Sequence, residues 1–240
     1  MKYKFRDVLN AFPKEKRKGD SFFIGRFISR PISFVLTFLA ANIGLSAWFV
    51  SILSAVCALS GCILFAFDNN VLSWIGVGLV ILWSILDCVD GNVARLTKTQ
   101  SKYGEFMDAE SGYIICAFVY IAIGIKSSYD VTLFKDSPLL LIVFGSVASI
   151  CDCLSRLINQ KFLNSQSPVV LQNSNPSFFS KIRKIASIEI GPSGLVILFL
   201  ILGLIFPIIL EIASVFYFCF CLFSFLIVSV FFTLKARRNS

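Results

Sequence analysis

Long apolar runs broken by short polar clusters dominate this chain. Helices of about twenty residues cross a hydrocarbon layer at about 1.5 Å per residue. On that basis the runs form six spans at 44–67, 71–95, 105–126, 138–158, 188–210 and 212–234. The breaks carry turn chemistry. Asn42-Ile43-Gly44-Leu45-Ser46 leads into the first span, Asp68-Asn69-Asn70 separates the first two, and a loop around 127–137 holds Asp130, Lys135 and Asp136. The segment 159–183, rich in Asn, Gln, Ser and Pro, is the longest connection. Ahead of the spans, Arg26, Ser29, Arg30, Ser33 and Thr37 recur at helical spacing on one side of residues 21–38, and Phe22, Phe23, Phe27, Ile28, Val35, Leu36 and Phe38 cover the rest. With Pro31 starting or kinking it, this pattern predicts an amphipathic helix lying in the membrane interface.

The expected fold is an all-α integral membrane protein: six transmembrane helices preceded by an N-terminal interfacial amphipathic helix. Residues 1–38 form the basic arm and juxtamembrane helix, and residues 39–240 the membrane domain. Composition agrees, since 57% of the 240 residues are apolar and 26 are Phe, which fits no ordinary soluble domain. No internal repeat is evident, which argues against an inverted-repeat transporter.

The net charge of +8 follows from topology. The basic N-terminal arm, Lys98, Lys102, the cluster Lys181, Arg183 and Lys184, and the tail Lys235, Arg237 and Arg238 fall on one side of the predicted spans. Only Lys126 and Lys135 fall on the other. By the positive-inside rule both termini are cytoplasmic and the membrane is the cytoplasmic (inner) one. Nucleic acid is excluded as a partner, because the basic residues are not interleaved with aromatics on one soluble face. No cleavable leader is expected, as the basic N-terminus lacks a short apolar core followed by small residues. The eight Cys form no CxxC and have no His beside them, so they read as small apolar fillers rather than a zinc site.

The candidate chemistry is a set of acids inside these apolar runs. Asp87 and Asp90 lie in Asp87-Cys88-Val89-Asp90-Gly91-Asn92-Val93-Ala94-Arg95, and Asp108 closes Gly104-Glu105-Phe106-Met107-Asp108. Isolated carboxylates are costly in hydrocarbon, and intramembrane acids mark functional sites by default. Two antiparallel spans bring all three to one depth near the cytoplasmic edge. A divalent cation with hard oxygen ligands, Mg²⁺ or Mn²⁺, would remove both the burial cost and the mutual repulsion. Asp87, Asp90, Gly91 and Ala94 share one helix face, and Gly91 and Ala94 leave it nearly bare. Arg95, Lys98 and Lys102 supply positive charge for phosphate.

This pattern, Asp87-xx-Asp90-Gly91-xx-Ala94-Arg95, eight residues, Gly104-xxx-Asp108, resembles the signature of the CDP-alcohol phosphotransferases, also called CDP-alcohol phosphatidyltransferases. The resemblance implies a homodimeric, divalent-cation-dependent enzyme. Such an enzyme joins an alcohol acceptor to the phosphate of a CDP-linked alcohol, CDP-diacylglycerol by default, and releases CMP. It implies that Asp87, Asp90 and Asp108 hold the metal, that Gly91 and Ala94 make room for the cytidine end, and that Gly104 lets the third span pack closely.

One departure matters. The family pattern ends in a fourth aspartate, taken as the general base and a metal ligand, and this chain has Gly112 there. Glu110 points about 160° away on an ideal helix. Ser111 is no base, and Glu105 reads as a solvated acid at a helix start. Asp152 in the fourth span, beside Arg156 at i+4, is the remaining candidate for the missing carboxylate, with Arg156 binding an anionic acceptor or phosphate. The same two residues also suit a structural ion pair. Glu189 in the fifth span is a structural landmark. Three readings follow: an active transferase, a catalytically impaired relative that binds CDP-lipid and metal without turnover, and a cation transporter. Acids gathered at one depth rather than along a path disfavour the transporter.

Overall fold

The computed structural model describes residues 2–12, 29–165, 190–192 and 194–238. Among these residues the secondary structure is helical throughout, in eight helices: α1 Phe5–Ala11, α2 Arg30–Ile43, α3 Ala47–Phe65, α4 Asn70–Thr97, α5 Lys102–Ser127, α6 Leu139–Ser165, α7 Leu195–Ile205 and α8 Ile208–Arg238. Five of them, α3, α4, α5, α6 and α8, are long and apolar enough to cross a membrane. Their outward residues, among them Trp74, Ile75, Val143, Phe223 and Val230, are exposed apolar side chains that only lipid would cover.

The chain forms two compact units. The first holds residues 1–115 and 185–201; the second holds 116–184 and 202–240. In the first unit α3 packs along α4, α2 lies on α4, and α1 touches both α2 and α4. The α3–α4 hairpin is set by its turn, where the Asn69 side chain accepts from the Leu72 amide at 3.1 Å and caps α4. Ser73 then donates back to the Phe65 carbonyl at 3.2 Å. Beyond the turn the two backbones nearly touch. A Cβ on Gly76 would sit 2.5 Å from the Phe65 nitrogen and 2.7 Å from the Gly61 oxygen, so only glycine fits this crossing.

Helix α2 corrects part of the sequence reading. Pro31 sits in its first turn, as expected, and Gly44 ends it at φ 80°, separating it from α3. The polar stripe, however, turns inward. Ser29, Ser33 and Thr37 are buried, whereas Ile32, Val35, Leu39 and Ile43 are exposed. Small hydroxyls find partners inside, Ser29 with Ser84 at 3.2 Å and Thr37 with the Ser33 carbonyl at 2.6 Å, which leaves the outer face for lipid. The expected start of this helix, residues 21–28, lies outside the described residues.

The second unit is built on α6 against α8. The C-terminal half of α5 approaches α6 as closely as α3 approaches α4. A Cβ on Gly124 would lie 2.5 Å from the Leu141 carbonyl oxygen, and one on Gly145 would overlap the Tyr120 carbonyl. Aromatic pairs fill the remaining space, Tyr120 with Tyr217 at 4.9 Å between ring centres and Phe162 with Phe232 at 4.5 Å.

The six predicted spans are not all reproduced. Helix α7 has eleven residues where 188–210 was expected to cross, and α8 begins at Ile208 rather than 212. The chain breaks at Phe206–Pro207, because Pro207 has no N–H to continue a helix. Glu211, which falls between the expected spans 188–210 and 212–234, is fully buried in the first turn of α8. There it accepts from the Thr132 amide at 2.6 Å, the Thr132 hydroxyl at 2.5 Å, the Leu133 amide at 2.9 Å and the Phe134 amide at 3.0 Å. One carboxylate thus satisfies a whole loop. The predicted long connection also shortens, since α6 continues to Ser165. Its remainder and Glu189 lie outside the described residues.

Two stability tests follow. Gly76→Ala is expected to cost about 1–3 kcal/mol through overpacking, while Gly78→Ala, where nothing lies within 4 Å of an added Cβ, leaves the detergent-solubilised unfolding midpoint unchanged or higher. Glu211→Gln replaces an all-acceptor head by one carrying N–H groups, so at least one loop donor loses its partner. A loss of about 2 kcal/mol is expected, with faster amide exchange confined to 132–134.

Candidate active site

The polar residues of the first unit converge where α3, α4 and α5 meet. Asp90, only 4% exposed, is held on α4. It accepts from the Ser51 hydroxyl on α3 at 2.6 Å and from the Gly91 amide at 2.5 Å. Its burial is therefore balanced by donors. About two turns earlier on α4, the Trp83 indole donates to Ser111 on α5 at 2.9 Å. Ser54 on α3 meets the same Ser111 hydroxyl at 3.3 Å and donates to the Trp83 carbonyl at 3.4 Å. This three-helix knot fixes the phase of α5 one residue before Gly112.

Between α4 and α5 the turn is tight. Lys98 ends α4 in the left-handed region at φ 57°, and the Thr99 amide reaches back to the Ala94 carbonyl at 3.0 Å. Ser101 then opens α5, its hydroxyl accepting from the Gly104 amide at 3.1 Å.

A cavity of about 780 Å³ opens beside these elements. The motif residues Asp90, Gly91, Ala94, Arg95, Gly104 and Asp108 all line it, joined by Glu105, Ser51, Trp48 and Tyr103. Asp108 and Glu105 are exposed on α5. Asp87 is half-buried and is not among the lining residues, although it interacts electrostatically with Asp108, Asp90 and Arg30. Lys98 does not line the cavity either, and neither does Lys102; both are exposed at the helix ends.

The carboxylates around this cavity are candidates for holding a cation. Their chemistry fits, being hard carboxylate oxygens. Their geometry is not a closed cage, because among the described residues no group of three His, Cys, Asp or Glu side chains is close enough to hold a metal. Both Asp90 oxygens are already engaged, Oδ2 by the Ser51 hydroxyl and Oδ1 by the Gly91 amide. The three aspartates nonetheless share one electrostatic neighbourhood.

Arg95 folds back over Gly91, where an added Cβ would meet its guanidinium at 3.3 Å. It donates to the Asn92 side chain at 2.7 Å, and its buried Nε has no hydrogen-bond partner among the described residues. Arg30 and Arg95 both approach the buried Phe12 ring, at 4.8 and 5.9 Å from its centre. Among the described residues the nearest atom to an added Cβ at Gly104 is the Ser101 hydroxyl at 3.5 Å, so the close packing implied for Gly104 is not seen among them, and the residue lines the cavity. At Gly112 no atom of the described residues lies within 4 Å of an added Cβ, at the place of the family's fourth aspartate.

Asp152 and Arg156 belong to the second unit. They form the i,i+4 ion pair at 3.1 Å, with the Cys116 thiol close to both. Four residues that organise the first unit, Ser51, Ser54, Trp83 and Ser111, were not singled out from sequence. Two serines three apart in an otherwise apolar helix were the available signal.

No individual curated protein matches the chain. The family model for CDP-alcohol phosphatidyltransferase matches residues 35–234, a stretch that takes in all five long apolar helices and the whole motif. With the motif residues other than Asp87 gathered on one cavity and the match running over most of its length, the chain belongs to the CDP-alcohol phosphatidyltransferase family.

Proposed function

We propose that this protein is a membrane transferase that moves a phospho-alcohol group from a CDP-linked alcohol, CDP-diacylglycerol by default, to an acceptor hydroxyl with release of CMP. Family membership implies the reaction class. The observation that carries the assignment is the single cavity on which Asp90, Gly91, Ala94, Arg95, Gly104 and Asp108 meet.

In this reaction the acceptor oxygen attacks the phosphorus that bears the donor's alcohol. The pyrophosphate P–O bond breaks, CMP leaves with the bond electrons, and the hydroxyl proton passes to a base or to water. The chain's own contribution is to position and neutralise. Gly91 and Ala94 keep the α4 face low enough for the nucleotide, and Arg95 supplies a guanidinium beside it. Asp87, Asp90 and Asp108 are the residues that would hold Mg²⁺ or Mn²⁺, and the ion would neutralise phosphate charge. For the proton we assign Asp152, supported by an acid missing at 112 and another present in a later span, with Arg156 serving an anionic acceptor. Homodimer formation and a cytoplasmic-facing site in the inner membrane complete the reading.

Gly112 supports a second reading, a relative that binds the CDP-lipid and metal without turnover. CMP release from proteoliposomes containing CDP-diacylglycerol and Mn²⁺ separates the two across a panel of acceptor alcohols. Under the first, the natural protein turns over, Asp90→Asn abolishes release, and Asp152→Asn lowers it by about 10²-fold or more. Unchanged turnover in Asp152→Asn would remove that residue from the mechanism. Under the second, the natural protein is silent and Gly112→Asp, which has room for its side chain, gains activity.

Cation dependence is tested separately. Chelation is expected to stop CMP release and either Mg²⁺ or Mn²⁺ to restore it. Asp87→Asn and Asp108→Asn should each shift the restoring Mn²⁺ concentration upward by at least tenfold, read in parallel as weaker Mn²⁺ binding by electron spin resonance.

A further inference from the structure

The cavity has a wall that the motif does not supply. Lys2 and Tyr3, at the start of the chain, line it together with Asp90 and Asp108. The arm that carries them is docked at both ends. At the cavity end, Asn42 on α2 grips the Tyr3 backbone from both sides. The Tyr3 amide donates to Asn42 Oδ1 at 3.1 Å, and Asn42 Nδ2 donates to the Tyr3 carbonyl at 3.2 Å. Asn42 Nδ2 is itself aimed by the Phe38 carbonyl at 2.9 Å. A side-chain amide that meets both backbone groups of one residue imitates a strand pairing, and it fixes direction as well as position.

At the far end, Val8 and Phe12 are buried, Phe5 stands edge-on to Phe38, and Phe12 stands edge-on to Phe34 at 5.5 Å. Phe12 also carries the Arg30 and Arg95 guanidinium groups against its ring. The arm therefore runs from the cavity rim to the motif arginine. Its leading residues bring an ammonium and a phenol to a cavity that the aspartates also line, the Lys2 ammonium lying 5.5 Å from the Tyr3 ring centre. A donor with a diphosphate at neutral pH needs positive charge to offset those acids.

On the strength of the function proposed above, we infer that residues 2–12 form a docked strap that contributes Lys2 to binding of the nucleoside-diphosphate donor, with Asn42 as the latch that positions it. Lys2 is a binding residue, and Asn42 acts only through Tyr3. Anionic lipid headgroups present the same phosphate chemistry, so the test keeps the two sources apart.

The full chain is placed in nanodiscs of zwitterionic lipid, and binding of CDP with Mn²⁺ is measured by calorimetry. Lys2→Gln and Asn42→Ala are each expected to weaken CDP binding about tenfold, the scale of one charge-assisted contact or of a pair of hydrogen bonds. In turnover the loss should fall on KM for the CDP-linked donor rather than on kcat. Asn42→Asp, which still accepts from the Tyr3 amide but cannot donate to its carbonyl, should fall between. Hydrogen exchange at the Tyr3 amide reports the latch itself and should accelerate in Asn42→Ala. If that amide is freed while CDP affinity and KM stay at the natural values, the strap is overturned and the transferase reading stands. If Lys2→Gln loses binding only to anionic vesicles, Lys2 serves the membrane surface and the proposal is likewise overturned. If the natural protein binds no CDP, both fall.

Discussion

The hydrogen bond between Ser51 on α3 and Asp90 on α4, 2.6 Å long, carries the first unit's organisation. A carboxylate among apolar helices is stable only when its oxygens find donors, and hydrocarbon offers none. Once Asp90 is satisfied by its own helix and by α3, the pair of helices has one register. Trp83, Ser54 and Ser111 then extend the same bookkeeping to α5. Gly61 and Gly76 allow the close crossing that such short side chains require, since a serine reaches only a little beyond its own backbone. Polar satisfaction and small-residue packing are one device here, and the cavity lies beside it.

The second unit solves the same problem differently. Glu211 spends its acceptors on three successive loop residues, so a segment with no helix of its own is pinned to the start of α8. Gly124 and Gly145 repeat the glycine contact between α5 and α6. Tyr120 and Tyr217 fill the space that bare backbones leave, and their rings are fully interior.

Much of the design was legible in the sequence because lipid imposes simple rules. Apolar length located α3, α4 and α5 within a few residues and found α6 and α8 while stopping short of their ends, and the spacing of Asp90, Gly91, Ala94, Gly104 and Asp108 marked one cavity. The run from Leu195 to Leu234 defeated that approach, since its only interruptions are Pro207 and Glu211. The acid looks like the turn and the proline is the turn, because the partners that bury Glu211 lie 77 to 79 residues away. The α2 stripe misled for a related reason. Spacing shows that hydroxyls share a face, and only the position of α4 shows whether that face points to water or to protein. The N-terminal arm stood out only by its basic charge, and nothing local signals that Asn42 will hold Tyr3 across 39 positions. Long-range pairings of small polar groups are where linear reading stops.

The junction at Lys98 has a consequence for how this site tolerates change. A lysine in left-handed backbone closes α4, and Ser101 caps α5 almost at once, so the helix bearing Asp90 and the one bearing Asp108 are joined by a connector with no slack. Each residue of an α-helix advances its neighbours by about 100°. Gaining or losing a single amino acid in that connector would swing Asp108 round the axis of α5 and away from the shared hollow. The number of residues in this connector is therefore set by angular phase rather than by the distance to be spanned.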